Sequence, residues 1–250
     1  MKRTTLLYST LALLLGFTAC TQDDLSSSSG ELRGTPMTFT ATGLTPSAGT
    51  RATVDGDWEG VSTVAIQIGS EVKEYRVTLS TDNLAATLSS DDPHYWTGGS
   101  TVTVSAWWPY TKGEATMPAV VVQADQRGDG YAKSDHIGVA KELPNYGGGT
   151  PTLAFTHRTA HVVVTVTSGT QTVSSVYLTN LSTADGNPGE IIAHDAGSGT
   201  YEALVAPQSV AQGTAFVTIT TADGKTYAYR MQDNADWDAG AEYKYDIRIE

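Results

Sequence analysis

The sequence predicts an all-β fold that consists of two tandem β-sandwiches. Apolar and polar residues alternate over many short segments, which is the period-2 pattern of strands with one buried face. The 250 residues include 25 Gly and only 17% charged residues, and this composition is typical of β-rich proteins with many tight turns. No segment sustains the 3.6-residue period of a helix. The length allows one large domain or two modest ones.

The start of the chain predicts an export leader. A short basic stretch precedes an apolar run over residues 6–17 that is too short to span a bilayer. The run ends in Phe-Thr-Ala-Cys, where Cys20 is the only cysteine of the chain, and this ending resembles a bacterial lipobox. We therefore expect a lipoprotein signal peptide over residues 1–19 and lipidation of Cys20 with palmitate-type acyl chains. Residues 20–35 are rich in Ser and Gly and predict a flexible tether.

Residues 36–149 predict the first sandwich. Alternation begins in residues 37–42, where Met37, Phe39 and Ala41 share one face of the predicted strand. Further strands of this half are predicted at residues 64–68, 75–79 and 102–106.

Residues 150–250 predict the second sandwich. Three glycines between two prolines, in residues 144–151, separate the halves and allow a hinge. In residues 242–249 the apolar side chains share one face, and the outward row alternates acid, base, acid, base, as in a strand with one solvent-exposed face. The other strands of this half are predicted at residues 162–166, 176–178, 215–219 and 227–231.

Charge and motif content exclude several classes of function. The formal net charge is −12, so the chain lacks the basic field that nucleic acid or anionic lipid headgroups require. The sequence contains no phosphate-binding loop and no nucleophile elbow, so we expect no enzyme activity and no cofactor. His157 and His161 have a zinc-ligand spacing for a helix. On a strand they would lie about 13 Å apart, so we expect structural histidines and no metal site.

Two aromatic clusters are candidates for ligand binding. Trp96 follows a tyrosine, and Trp107, Trp108 and Tyr110 lie within four residues of one another. Indole and phenol rings stack on sugar rings, although near strand ends they more often pack into the core. These clusters support the alternative hypothesis for the function, a non-polymerising outer-membrane surface lipoprotein that binds glycan or host protein.

Several short segments occur in an order that resembles a known family. The series begins with residues 49–56 and Trp58, and it ends with residues 237–240 and the Tyr-Lys-Tyr of residues 243–245. Together with the lipobox, these segments are similar to those of the fimbrillins, the subunits of type V pili of Bacteroides-type bacteria. The resemblance covers residues 36–250. It implies transthyretin-like sandwiches, a location on the cell outer membrane and then in a fimbrium, and a structural or adhesive role.

The resemblance also implies a route of assembly. Subunits of this family travel as lipoproteins anchored in the outer membrane, an Arg-specific or trypsin-like protease cuts the first loop, and the first strand leaves. In this sequence the resemblance puts the cut between Arg51 and Ala52, so the displaced strand would carry Met37, Phe39 and Ala41. A strand from another fimbrillin subunit then fills the vacated groove by donor-strand exchange, since an apolar groove beside unpaired backbone is strongly adhesive. Alternatively, Arg51 is an ordinary loop arginine without this role.

The last residue of the sequence gives an expectation about the position in the pilus. Shaft subunits of the family run on past the final Tyr-x-Tyr strand into a donor segment, whereas this sequence stops at Glu250. We therefore expect a tip or accessory subunit that accepts a strand and does not give one. The sequence does not identify a receptor on the host or bacterial surface.

Overall fold

A computed structural model describes residues 34–44, 57–98, 101–144 and 150–250 of the chain. Strands are the main regular structure of these residues, with one short α-helix, α1 (Asp129–Lys133), and one short 3-10 helix (Thr183–Asp185), so the all-β prediction is confirmed. Each strand predicted from alternation overlaps an observed strand, and the last one has the predicted bounds, Glu242–Ile249. Within these ranges, no helix has the length and apolar character that crossing a bilayer requires.

Eight strands, six before residue 145 and two after residue 150, form the one continuous sheet of the first half. They are β1 (Phe39–Thr42), β2 (Thr63–Ile68), β3 (Glu71–Leu79), β4 (Ala86–Ser89), β5 (Thr101–Trp108), β6 (Ile137–Pro144), β7 (Thr152–Ala154) and β8 (Thr156–His157). Their pairing order is β7-β1-β4-β3-β2-β5-β6-β8. All pairs are antiparallel except β1 with β7, which is parallel.

This first sheet curls until its two ends meet. β7 and β8 stand at opposite ends of the pairing order, yet only Phe155 separates them in the chain. In addition, Lys141 Nζ of β6 donates a hydrogen bond to the carbonyl of Thr152 in β7 (3.0 Å). The sheet therefore encloses one apolar core, to which β1 through β7 all contribute side chains.

Ten strands build the second half around a separate core. The sheets β11-β10-β15-β16 and β12-β13-β9-β18 both contribute side chains to this core, so they face each other as a sandwich. β14 and β17 form a separate two-stranded ribbon. The strands are β9 (Ala160–Ser168), β10 (Val173–Thr179), β11 (Glu190–Ile192), β12 (His194–Gly197), β13 (Thr200–Val205), β14 (Gln208–Val210), β15 (Ala215–Thr221), β16 (Thr226–Arg230), β17 (Ala235–Trp237) and β18 (Glu242–Ile249).

Short segments on either side of residue 150 pack across the predicted domain boundary. Val120 and Val122 precede residue 150 and belong to the second core, whereas Leu153 and Phe155 follow it and belong to the first core. The two halves therefore interlock instead of meeting at a simple linker. The division of the chain at residue 150 stays a prediction.

The buried side chain of Gln126 anchors the first of these segments on the second half. Its amide donates to the carbonyl of Leu204 in β13 (2.6 Å) and accepts from the Leu204 N–H (2.8 Å), in the manner of a neighbouring strand. The backbone N–H of Gln126 donates to Ile192 in β11 (3.0 Å), and Ile192 donates in turn to Ala124 (2.8 Å). The segment therefore extends the hydrogen bonding of both sheets of the sandwich.

A cluster of polar side chains covers the same junction. The Tyr131 hydroxyl of α1 donates to Glu202 Oε2 (2.9 Å), and His161 Nε2 lies 3.2 Å from the same oxygen. On the other side of the imidazole, Nδ1 of His161 lies 3.3 Å from Glu242 Oε2 in β18, an ion-pair distance. The hydrogen bond from His161, helped by the one from Tyr131, lowers the pKa of Glu202 to about 2. The cluster ties α1, β9, β13 and β18 together.

The turn that follows β1 requires glycine. Gly43 has φ +98°, and a Cβ at this position would lie 2.5 Å from the carbonyl oxygen of Phe155, which no side chain tolerates without movement of the backbone. Phe155 is held there because its N–H donates to the carbonyl of Thr42 (2.8 Å). The close approach of the two segments therefore depends on a missing side chain.

We predict that Gly43→Ala lowers the free energy of unfolding by at least about 2 kcal/mol, because a steric clash adds to the usual cost of positive φ. Gly69→Ala is the matched control, since Gly69 also has positive φ (+60°) but faces open space. The control should cost only about 1 kcal/mol. Urea unfolding of both variants measures the difference, and equal losses would contradict the proposed contact with Phe155.

We also predict that Glu202 contributes to the pH dependence of stability. Because its pKa is lowered in the folded state, its contribution is fully present above about pH 4.5 and is lost as the pH falls toward 2. Glu202→Gln should lower the free energy of unfolding at pH 7 by on the order of 1 kcal/mol, after discounting for solvent screening of a half-exposed group. The deficit should shrink at pH 2.5. Glu190→Gln, which changes a solvent-exposed side chain of β11, is the control in the same urea series and should change the free energy of unfolding by no more than about 0.5 kcal/mol.

Candidate functional site

The strand predicted to leave, β1, lies inside the first sheet and not at its edge. On one side, residues 39–41 lie opposite residues 86–88 of β4 in antiparallel register. On the other side, β1 runs parallel to β7, where the Thr40 N–H donates to Pro151 (2.8 Å) and Thr42 accepts from the Phe155 N–H (2.8 Å). β1 is therefore held by backbone hydrogen bonds along both of its edges.

The side chains of the β1 segment enter the first core. Met37, Phe39, Ala41 and Leu44 each have 0 or 1% exposure. The ring of Phe39 packs edge to face against Tyr75 of β3, with 5.6 Å between ring centroids. Burial of a Met or Phe side chain contributes roughly 1.5–3 kcal/mol each, so the segment is bound to its groove by apolar contacts as well as by its backbone.

Tyr75 forms part of the floor of this groove. Its side chain is fully buried, and its hydroxyl accepts a hydrogen bond from the N–H of His94 (2.8 Å). Burial raises the pKa of Tyr75 to about 12. The carbonyl of the same His94 accepts from the N–H of Met37 (2.7 Å), so one residue supports both the floor and the start of the β1 segment.

The groove has the width of one extended chain. β4 and β7 are two strand spacings apart, about 9.5 Å, with β1 between them. Without β1, the facing N–H and C=O groups of β4 and β7 would have no strand partner in the described part of the sheet. Apolar side chains would line the space between them. The groove thus has the shape and the backbone groups that pair with one extended strand, which here is β1 itself.

Sequence reasoning located β1 but missed the other residues that form the groove. β7 is one wall of the groove, and its three residues, Thr152–Ala154, lie 110 residues from β1 in the chain. Leu44 adds a fourth buried side chain, after the turn at Gly43 breaks the alternation. The only signal for β7 was a short apolar-polar alternation, which does not indicate a partner strand.

The residues predicted for processing have no described geometry. Cys20, Arg51 and Ala52 lie outside the described residues, so lipidation and cleavage stay predictions. The described residues around β1 are 34–44, and the next described residue is 57. Arg51 and Ala52 therefore lie in the part of the chain between β1 and β2 that is not described.

The structure separates the aromatic residues predicted to bind ligand into two groups. Trp96 and Trp107 are 4% and 0% exposed, and Trp107 Nε1 donates to Glu114 Oε2 (2.8 Å). Their rings have no face open to a sugar. Trp108 and Tyr110 are half-buried, and Tyr110 borders a surface recess of about 340 Å³ lined mainly by charged side chains. The glycan hypothesis therefore depends on Trp108 and Tyr110 and stays a prediction.

The histidines with zinc-like spacing bind neighbouring protein groups. Nδ1 of His157 lies 3.0 Å from Asp135 Oδ1, with both side chains buried, and His161 lies between the two glutamates described above. Within the described ranges, no three or more His, Cys, Asp and Glu side chains are arranged to hold a metal ion.

Comparison with known proteins identifies the family. The sequence profile described as fimbrillin-like matches residues 50–250. None of the curated protein sequences matches the chain significantly. The fold is similar to that of a candidate cell adhesion protein from Bacteroides uniformis, with a TM-score of 0.59, 18% identity, and coverage of 86% of this chain and 93% of that one. A second candidate cell adhesion protein, from Bacteroides ovatus, gives a TM-score of 0.56 and 15% identity, with coverage of 87% and 93%. Because the profile spans most of its length, the chain belongs to the fimbrillin-like family.

Proposed function

We propose that this protein is a structural or adhesive fimbrial subunit that accepts a donor strand in the groove of β1. In this proposal the chain is exported as a lipoprotein attached through Cys20. A protease then cuts after Arg51 and β1 leaves the first sheet. A strand of another subunit takes its place between β4 and β7.

The observation that carries the proposal is the position of β1 between β4 and β7. A segment of a few residues fills a groove of one-strand width, and it contributes four fully buried side chains. Among the described strands β1 comes first in the chain, so its covalent link to the other described strands runs through the residues that follow Leu44. A single cut between β1 and β2 therefore suffices to make β1 a separate, exchangeable strand.

The side chains of β1 specify what a donor strand must offer. The positions of Met37 and Phe39 accept large apolar side chains, whereas Ala41 lies opposite Ala86 in closely packed surroundings. A matching donor would present large, large and small apolar residues at alternate positions. Such alternation fixes the register of the donor, because a slip by one residue would turn polar side chains into the core.

Two further parts of the proposal come from the sequence. The predicted tether over residues 20–35 would hold the folded body away from the lipid headgroups before cleavage, except for Gly34 and Thr35, which are hydrogen-bonded to Trp96. The tip or accessory position stays a prediction, as does the alternative of a non-polymerising surface lipoprotein that binds glycan or host protein.

We predict that the protein recovered from the surface of its native cells begins at Ala52 and carries no lipid. N-terminal sequencing and intact mass measure this directly. Arg51→Ala should keep β1 attached and should abolish incorporation into fimbriae. A wild-type chain that starts at diacylated Cys20 and is intact throughout would contradict cleavage and favour the surface lipoprotein.

Arg33→Ala is the matched control for this experiment. Arg33 precedes β1, so a cut after Arg33 would free the body from the tether while leaving β1 in its groove. If release of β1 is what assembly requires, Arg33→Ala should still be processed at Arg51 and incorporated. Incorporation of Arg51→Ala after a cut at Arg33 would instead indicate that detachment from the membrane is sufficient.

We further predict that a disulfide between β1 and β4 blocks strand acceptance. Thr40 lies opposite Thr87, and because the Thr40 N–H bonds to the β7 side, this is a non-hydrogen-bonded pair with closely spaced Cα atoms. In the purified chain from Thr21 onward, which lacks Cys20, Thr40→Cys with Thr87→Cys should retain β1 after cleavage at Arg51. Assembly should then depend on added reductant.

The control is a disulfide between β15 and β16 in the second half, made by Thr218→Cys with Ala228→Cys. It adds an equivalent cross-strand bond without touching the groove, so it should leave assembly unchanged. Assembly is measured by the ladder of oligomers on gels. If the variant with the oxidised disulfide between β1 and β4 assembles at the wild-type rate, strand exchange at this groove is contradicted.

A further inference from the structure

The last strand of the second half has a free edge. β18 stands at the end of the sheet β12-β13-β9-β18 and pairs with β9 along its full length of eight residues. In the part of the chain that the structure describes, no strand pairs with its other edge. A free edge of this length is a template for pairing with another strand.

The register with β9 determines which residues of β18 face outward. The His161 N–H donates to the carbonyl of Ala241 (2.9 Å), and His161 lies opposite Glu242. In a strand, the N–H and C=O of successive residues point to opposite edges. The odd-numbered residues of β18 therefore bond to β9. The even-numbered residues direct their N–H and C=O to the free edge: Glu242, Lys244, Asp246 and Arg248.

These same four residues carry an alternating row of charges on the solvent face. Lys244, Asp246 and Arg248 are exposed, and Lys244 Nζ lies 2.8 Å from Glu242 Oε1 within the strand. The row has the order acid, base, acid, base. It is therefore complementary to itself when a second copy of the strand runs antiparallel to it.

One register satisfies all four charges. When the two copies are centred on Tyr245, Glu242 lies opposite Arg248 and Lys244 lies opposite Asp246, twice each by symmetry. A shift of two residues places Lys244 or Asp246 opposite its own copy, which is unfavourable. When the two copies are centred on Ile247, facing side chains again have opposite charges, but Glu242 lies beyond the paired residues.

The inward face of β18 fits the same register. Tyr243 would lie beside Ile247 of the second copy, and Tyr245 beside its own copy. Both tyrosines are half-buried in the single chain, and the ring of Tyr245 packs against Phe216 with 4.6 Å between centroids. A second copy would cover the exposed parts of these rings with apolar and aromatic side chains.

We propose that β18 pairs antiparallel with β18 of a second copy of this chain, about a two-fold axis through Tyr245. The pairing joins two four-stranded sheets into one continuous sheet of eight strands, and it forms a closed, self-complementary interface. It is independent of the β1 groove, so it does not require cleavage at Arg51. Alternating charges can also keep a strand edge solvated and unpaired. If that is their role here, the chain is monomeric.

Sedimentation equilibrium of the chain from Thr21 onward, which keeps every described residue, tests the proposal. The wild type should show a reversible equilibrium of monomer and dimer. Lys244→Glu places like charges opposite Asp246 twice at the centre of the interface, and it should weaken the dimer roughly tenfold or more. Lys244→Glu combined with Asp246→Lys restores opposite signs in the register centred on Tyr245, and it should restore the dimer. In the register centred on Ile247 the same double variant would create like-charge pairs.

Lys225→Glu is the matched control, because it makes the same change of charge in the turn between β15 and β16 and should leave the dimer constant unchanged. The melting temperature of each variant checks that the fold is retained. A wild type that remains monomeric at the highest concentration would overturn the proposal. So would a dimer that Lys244→Glu leaves intact, or one that the double variant does not restore.

Discussion

The backbone pairing of β1 between β4 and β7 holds the first sheet closed. β7 is three residues long, and among the described strands it pairs with β1 alone. Its neighbour in the chain, β8, pairs with β6 at the far end of the same sheet. The four residues of β1 therefore join the two ends of an eight-stranded sheet, and Gly43 permits the close approach to Phe155 that completes this closure. The strand that closes the sheet is also the one that the proposed function exchanges.

The core of the second half contains no side chain of the β1 segment. This core lies between two four-stranded sheets, and β18 is bound to β9 along its whole length. The segment around Gln126 and the cluster of Tyr131, His161 and Glu202 join the second half to the first half. This division of the structure suits a subunit in which one half exchanges a strand while the other stays intact. The free edge of β18 is also chemically distinct from the β1 groove, because charged side chains dominate the edge and apolar side chains line the groove.

Part of the candidate site was predictable from the sequence. The alternation of Met37, Phe39 and Ala41 indicated a strand with one buried face, and burial of all three is observed. β7 was not predictable as the other wall of the groove, because three residues carry too little pattern and parallel pairing with a distant strand leaves no local signal. Similarly, the sequence grouped Trp96 and Trp107 with Trp108 and Tyr110 as candidates for ligand binding and left core packing as the alternative for all four. Only packing separates the two buried rings from the two half-exposed ones.

The sequence by itself determined the all-β class, the positions of the main strands and the two-faced character of β18. These properties depend on the period of apolar residues, which is a local quantity. Only the tertiary structure shows that the first sheet curls and that β1 lies between β4 and β7. The same is true of Val120, which belongs to the second core, and of Phe155, which belongs to the first. These features depend on pairing between residues that are far apart in the chain, and alternation specifies which face of a strand is buried but not which strand lies beside it.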